Sequence, residues 1–259
     1  MLVEERRNRL LEVVRQRRFA SLPELVLELQ VSESTVRRDL EHLEDQGAAK
    51  RIHGGVLYAG TSPKIPHFDQ QQPAKWDEKR AIAEAVVGLI KDGESVLLDG
   101  GSTTYEVARL LVGRPLHVVT NSLPVANLLS SDSECDLVFL GGNICSRSGV
   151  AMGPLTNRMI ESLRIRKAIM SVAGVSDDGF YNNNLLLVET ERVMLQAADE
   201  VIIVADSSKL GCQSLAHVCE LGDVQHLVVD SGICEDWRSR ILAAEVDLVV
   251  AGSDDNRNI

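Results

Sequence analysis

From Ser95 onward short apolar runs alternate with helix-patterned stretches, and this alternation restricts the fold of the 259-residue chain more than any other feature. Apolar runs at 95–98, 117–120, 137–140, 168–172, 201–205, 227–229 and 246–250 read as strands. Between and before them, 76–90, 104–111, 123–129, 157–163, 186–197 and 237–244 carry apolar residues at helical spacing. Strand and helix in alternation predict an α/β domain, a mostly parallel sheet with helices on both faces. Such sheets bind ligands beyond the carboxyl ends of their strands, which is where the chemistry is to be sought.

The first strand ends in Asp99-Gly100-Gly101-Ser102-Thr103-Thr104 and opens a helix. Two glycines let the backbone approach a ligand closely, and hydroxyls beside free helical N–H groups suit a phosphate. The nucleotide-binding pattern G-x-x-x-x-G-K-[ST] is absent, so nucleotide hydrolysis has no support. Asn121-Ser122 follows the second strand, Gly141-Gly142 the third, and Asp206-Ser207-Ser208-Lys209 a later one. Lys209 is suited to neutralise phosphate, and Asp206 to accept hydrogen bonds from sugar hydroxyls. Taken singly, each of these is also an ordinary turn, cap or solvated charge; four converging strand ends favour a ligand site.

The N-terminal stretch has another periodicity. Ser21-Leu22-Pro23-Glu24 carries the start signals of a helix ending near Gln30, and Ser32 caps a second one with Val36, Leu40 and Leu43 at buried spacing. Ser34, Thr35, Arg37, Arg38 and His42 are left on its outer face. Two helices joined by a tight turn form a helix-turn-helix whose second helix enters a DNA major groove, where arginine grips guanine or phosphate in two-pronged fashion. An earlier helix over 3–17 covers the pair, Gly47 stops the second helix, and 50–57 alternates like a β-hairpin. That hairpin is the wing of a winged helix-turn-helix, with Lys50, Arg51 and His53 beside the phosphate backbone. The organisation expected is a DNA-binding domain over 1–58, a linker over 59–73 containing Pro63, Pro66, Pro73 and a Gln70-Gln71-Gln72 run, and an effector and oligomerisation domain over 74–259.

The net charge of −11 is unevenly placed. Up to Ala59 basic and acidic residues balance at ten each, while the remainder holds 17 against 28. An acidic body is repelled by DNA, which confines contact to the first domain. Five cysteines, Cys135, Cys145, Cys212, Cys219 and Cys234, have neither C-x-x-C nor metal-ligand spacing and read as reduced, mostly buried residues. No metal or cofactor is called for. The chain opens without a signal pattern, and no run approaches the roughly 18–20 apolar residues of a membrane span, so a cytoplasmic protein is expected.

Arg6, Leu10 and Val14, then Ser32-x2-Thr35-Val36-Arg37-Arg38-Asp39-Leu40, then Arg51-x-His53-Gly54-Gly55 closely resemble the N-terminal signature of the DeoR family of bacterial transcription regulators. Glu78-Lys79-Arg80-x-Ile82-Ala83, the 99–104 loop with Glu106-Val107-Ala108, Val119-Thr120-Asn121-Ser122, Gly141-Gly142, Gly153-Pro154 and Asp206-Ser207-Ser208-Lys209 look like successive motifs of that family's sensor domain. The resemblance implies a sugar-pathway regulator with a sensor similar in fold to ribose-5-phosphate isomerase and the coenzyme A transferases, hence a phosphorylated sugar as effector. It also implies that Glu189 and Arg192 lie near the pocket; an i, i+3 ion pair on the helix surface is the alternative. Two features depart from the family pattern: the absence of a basic residue around Gln70 to Gln72, and the Asn182-Asn183-Asn184 run.

The function expected is sequence-specific binding of double-stranded operator DNA by a homo-oligomeric repressor of a carbohydrate-utilisation operon, released by a phosphorylated sugar. A sugar-phosphate isomerase with an appended DNA-binding domain is the rival, with Asp99, Asp206 and Glu189 as conceivable bases. An architectural module accounts for neither the arginine helix nor the pocket.

Overall fold

The structure, a computed structural model, describes residues 6–7, 9–10, 13–14, 19–45, 49–52, 55–58 and 75–252, and the chain divides into two compact units, 1–66 and 67–259. The linker expected over 59–73 lies outside the described residues.

In the first unit residues 6–7, 9–10 and 13–14 are helical. A short strand that sequence patterning did not single out, β1 (Phe19–Ser21), leads into α1 (Leu22–Leu29). The Glu24 carboxylate accepts hydrogen bonds from the Ser21 N–H and hydroxyl, both at 2.7 Å, which fixes the start of α1. Gln30 then takes a left-handed conformation, φ 53°, and turns the chain into α2 (Glu33–Asp45). Strands β2 (Ala49–Ile52) and β3 (Gly55–Tyr58) form the expected antiparallel hairpin, and β1 adds to the far edge of β3. Leu10, Val14, Leu25, Leu29, Val36, Leu40, Leu43 and Val56 fill the core.

The second unit opens with α3 (Trp76–Gly88) and is built on a seven-stranded, wholly parallel sheet. Its elements run β4 (Ser95–Leu98), α4 (Ser102–Leu111), β5 (His117–Thr120), α5 (Leu123–Leu129), β6 (Asp136–Phe139), β7 (Asn143–Cys145), β8 (Val150–Met152), α6 (Pro154–Glu161) and β9 (Ile165–Ser171). There follow β10 (Gly174–Ser176), β11 (Gly179–Asn182), α7 (Leu185–Ala197), β12 (Ala198–Ala205), β13 (Ala216–Cys219), β14 (His226–Asp230), α8 (Glu235–Ala243) and β15 (Asp247–Ala251). Residues alternate between faces as strand geometry requires. Val96, Leu98, Ile169 and Val204 pack with α3, α4 and α5 residues such as Ile82, Val107 and Val125. Leu97, Ala168, Met170 and Ile203 pack on the other side with Ile160, Val188, Met194 and Ile241.

Strand order is β15-β14-β12-β9-β4-β5-β6, so the chain leaves β4 toward one edge and returns at β9 to build toward the other. Order reverses between β4 and β9, and a crevice at their carboxyl ends is where a doubly wound sheet receives ligands. Two antiparallel additions were not expected from the sequence: the β7–β8 hairpin and a β10-β11-β13 sheet. The central strands also begin earlier than their apolar runs. Lys167 on β9 reaches Glu94 at 2.9 Å and Glu200 on β12 at 3.7 Å, so charged residues there pair across neighbouring segments. Cysteine burial is mixed rather than general: Cys219 is buried, Cys135 and Cys145 are half-buried, and Cys212 and Cys234 are exposed. Among the described residues no helix is long and apolar enough to cross a membrane, and no group of three or more His, Cys, Asp or Glu is placed to hold a metal ion.

Candidate functional site

The reversal point holds the loop that sequence reading singled out. Asp99 ends β4 and its N–H donates to the Ile169 carbonyl on β9 (3.1 Å). Gly100 and Gly101 lie so close to their neighbours that an added Cβ would come within 2.1 Å of Val150 Cγ2 and of Ser171 Oγ, respectively. A larger residue at either position would have to displace the Val150 or the Ser171 side chain. Ser102, Thr103 and Thr104 form the buried first turn of α4, with the Thr104 hydroxyl donating to the Gly101 carbonyl (2.9 Å).

A second cluster surrounds the end of β12. Asp206 is 5% exposed, and its Oδ1 accepts from the Ser208 hydroxyl, the Ser208 N–H (3.1 Å) and the Lys75 ammonium (2.9 Å). Burial opposes its ionisation, but these bonds and the Lys209 charge hold the carboxyl below its ordinary value. Asp230, ending β14, accepts from the Ser207 N–H (2.5 Å) and hydroxyl (3.0 Å), which fixes the 207–209 turn presenting half-buried Lys209. Lys79, one turn along α3 from Lys75, is 6% exposed. Burial lowers its pKa, the like charge of Lys209 adds to that, and Asp206 and Glu106 oppose it. Lys75 thus bonds Asp206 with Lys79 and Lys209 in electrostatic reach of it, while the Glu78, Glu106 and Asp230 carboxylates also act on these lysines.

Asn121 and Ser122 sit deeper than expected, both fully buried. The hairpin closes over them, with the Ala151 N–H on the Asn121 carbonyl (2.8 Å), and Ser122 Oγ caps α5 by accepting from the Val125 N–H (3.4 Å). The Asn121 amide donates to Asp99 Oδ1 (3.3 Å) and the Ala151 carbonyl (3.2 Å). Gly141 presents its carbonyl to the Thr156 hydroxyl (2.9 Å) at the head of α6, and the neighbouring Gly142 is exposed. On α7 the two residues implied to lie near the pocket are at the surface. Glu189 is exposed, and the exposed Arg192 donates to the carbonyls of His217 (2.6 Å) and Val218 (3.2 Å). The buried stripe of α7 runs through Leu187, Val188, Thr190, Glu191 and Met194, so 189 and 192 fall beside it.

Glu191, which sequence reading passed over, is fully buried and accepts from the Asn182 amide at 2.6 Å. Asp99 Oδ2, Glu191 Oε2 and Asn121 Oδ1 have no hydrogen-bond partner among the described residues. Burial pushes the Asp99 carboxyl up to about 7 against the N–H groups of Gly100 and Ser171 and the Asn121 amide. Burial, reinforced by the Asp99 charge, also raises Glu191. The asparagine run is thereby explained: Asn182 holds Glu191, and the Asn184 carbonyl oxygen caps α7 by accepting from the N–H groups of Leu186 (3.0 Å) and Leu187 (3.2 Å). The available signals were a glutamate inside an apolar helical stripe and Lys75 four residues before Lys79.

In the first unit Ser32 caps α2, its Oγ accepting from the Thr35 N–H (3.3 Å) and lying 2.9 Å from the hydroxyls of both Ser34 and Thr35. Arg37 and Arg38 are exposed, Thr35 and His42 half-buried. Arg37 is not idle in the free protein, since its guanidinium meets Glu33 one turn back at 2.6 and 3.0 Å. Asp39 is buried and accepts from Arg6 (2.6 and 3.2 Å) and Arg7 (3.0 Å), which hold it below its ordinary pKa although burial pushes the other way. Lys50 and Arg51 are on β2 with side chains outside the description, and His53 lies outside the described residues.

An exposed two-arginine helix in one unit and lysines about a buried aspartate in the other agree with what comparison with known proteins finds. Residues 6–61 match the family described as DeoR-like helix-turn-helix domain, and 74–231 that described as DeoR C terminal sensor domain. The uncharacterized HTH-type transcriptional regulator YulB of Bacillus subtilis (strain 168) is 32% identical over 234 residues, 90% of this chain and 91% of that protein. The glycerol-3-phosphate regulon repressor of Escherichia coli (strain K12) is 31% identical over 229 residues, 88% and 90% of the two chains. Ribose 5-phosphate isomerase A from Methanocaldococcus jannaschii is a more remote structural relative, with 20% identity and a TM-score of 0.39 over 53% of this chain and 55% of that one. With both of its parts matched in this order, and with relatives aligned along most of its length, the chain belongs to the DeoR family of transcriptional regulators.

Proposed function

We propose that this DeoR-family repressor controls a carbohydrate-utilisation operon and leaves its double-stranded operator when the sensor unit binds a phosphorylated sugar or a related metabolite. The observation that carries this reading is that Lys75 bonds Asp206 with the Lys79 and Lys209 ammonium groups in electrostatic reach of the same carboxylate. A phosphomonoester brings about 1.5 to 2 negative charges at neutral pH, and such a cluster has the sign and hydrogen-bonding capacity to receive it. The name of the glycerol-3-phosphate relative agrees with a small phosphorylated effector.

Turnover is disfavoured by the same geometry. Isomerisation needs a base open to the sugar carbons. Asp99 is fully buried, Asp206 is bound to Lys75 and Ser208, and Glu189 faces solvent. The protein therefore senses its ligand in the cytoplasm and reads two operator half-sites as a symmetric oligomer, for which light scattering on and off DNA is the check.

The test uses an operator selected from random DNA and a panel of sugar phosphates, with operator release and product formation followed together. One member should release the operator by about 5- to 150-fold, the usual range of allosteric coupling, without being converted. In Lys209→Ala, operator binding without effector should persist and release should fail. A product with no release would establish the isomerase reading, and an unchanged response in the variant would remove Lys209 from the site.

A further inference from the structure

Lys75 is the first described residue after the stretch that joins the two units, and it is unusual in two independent respects. Its backbone is left-handed, φ 53° and ψ 46°, at the cap position of α3, where its carbonyl accepts the Lys79 N–H (3.1 Å). A β-carbon makes that conformation unfavourable, so it persists only when other contacts hold it. The contact present is Lys75 Nζ on Asp206 Oδ1 at 2.9 Å, spanning 131 positions of sequence. The lysine side chain is 39% exposed and that of the aspartate is buried, so the bond tethers a surface residue to a buried carboxylate.

We propose that Lys75 is the latch through which the sensor site acts on the chain leading to the DNA-reading unit: its ammonium holds Asp206 in the unliganded protein and leaves it for the ligand's phosphate. This rests on the reading of the site as a phosphate sensor. A dianionic phosphate is a stronger partner for an ammonium than a carboxylate already sharing its oxygen with two donors from Ser208. Once Lys75 lets go, the Lys79 N–H on its carbonyl is the remaining contact among the described residues that holds its backbone left-handed, and the first turn of α3 and the direction of the chain entering it change together. Ligand occupancy becomes a backbone change at the boundary between the units, with no wider rearrangement of the sheet.

The experiment compares wild type, Lys75→Met and Lys75→Arg as full chains, by amide hydrogen exchange over residues 76–79 and by operator affinity. Without any ligand, Lys75→Met should exchange faster in that turn and bind operator about 5-fold more weakly, at the low end of allosteric coupling. Lys75→Arg, which can still pair with Asp206, should keep wild-type values. Adding inorganic phosphate to wild type should raise exchange over 76–79 toward the Lys75→Met level and leave Lys75→Met unchanged. Wild-type exchange and operator affinity in Lys75→Met would overturn the latch, as would Lys75→Arg behaving like Lys75→Met. Because two of these measurements contain no ligand, a protein that responds to no sugar phosphate would defeat the proposed effector while the latch was still decided.

Discussion

Glu191→Gln is the substitution whose effect the buried carboxyl pair fixes best. In the native protein Asp99 and Glu191 are both fully buried, and each has an oxygen without a partner. Moving the Asp99 carboxyl from its ordinary 3.8 to about 7 corresponds to about 4 kcal/mol against the ionised folded state above pH 7, a ceiling set mainly by burial. Gln at 191 keeps an oxygen for the Asn182 amide, brings an N–H toward the unpartnered acceptors, and removes one of the two charges. Asp99 stays buried and keeps its own penalty, so what is recovered above neutral pH is the cost of ionising a buried Glu191 beside the Asp99 charge, and the variant should be more stable than wild type there. The sign follows from proton counting. Both folded pKa values lie above the unfolded ones, so the folded state binds more protons between about pH 4 and 7, and wild-type stability from this pair falls as pH rises through that window. The variant's advantage should therefore be absent near pH 4 and grow as pH rises, each recovered kcal/mol raising the melting temperature of a domain this size by about 2–4 °C. Both tryptophans, Trp76 and Trp237, lie in the sensor unit, so their emission during thermal unfolding reports the relevant transition. A melting temperature lowered at pH 8, or raised equally at both pH values, would refute the reasoning.

Gly100→Ala places a methyl 2.1 Å from Val150 Cγ2 and forces the β7–β8 hairpin to shift, so the sensor unit should lose about 1–3 kcal/mol in urea unfolding; a midpoint equal to wild type would show that the contact relaxes freely. Arg37→Ala should weaken operator binding by about 1–3 kcal/mol if the guanidinium grips a base in two-pronged fashion. Its pair with Glu33 is solvent-exposed and contributes little to the fold, so circular dichroism of the variant should match wild type, and undiminished operator affinity would remove Arg37 from the interface.

The parallel sheet was legible because both its faces are covered, which gives each strand a nearly unbroken apolar run such as Val96–Leu98 or Val201–Ala205. The strand-end loops were legible for a related reason, since glycines and hydroxyls interrupt those runs abruptly. The β7–β8 hairpin was not, because three-residue strands whose pattern is set by packing on Asn121 and Gly100 leave no period to count. Glu191 was missed because periodicity reads charge as exposure, whereas here an asparagine from β11 offers the glutamate a buried bond. Glu189 and Arg192 fall beside the inward stripe of their helix, because helix phase, fixed by Leu187, Val188 and Met194, determines which side chains turn inward. In the first unit cap and periodicity located α2, but Arg6 and Arg7 meeting Asp39 across more than thirty residues was a tertiary fact with no local trace.

That clamp on Asp39 also constrains how the protein can be handled at the bench. The recognition helix owes the neutrality of its inner carboxylate to two arginines more than thirty positions before it. A fusion or substitution that displaces those arginines would strand a negative charge inside the first unit. Loss of operator binding in such a variant is a property of the clamp before it is evidence about the operator.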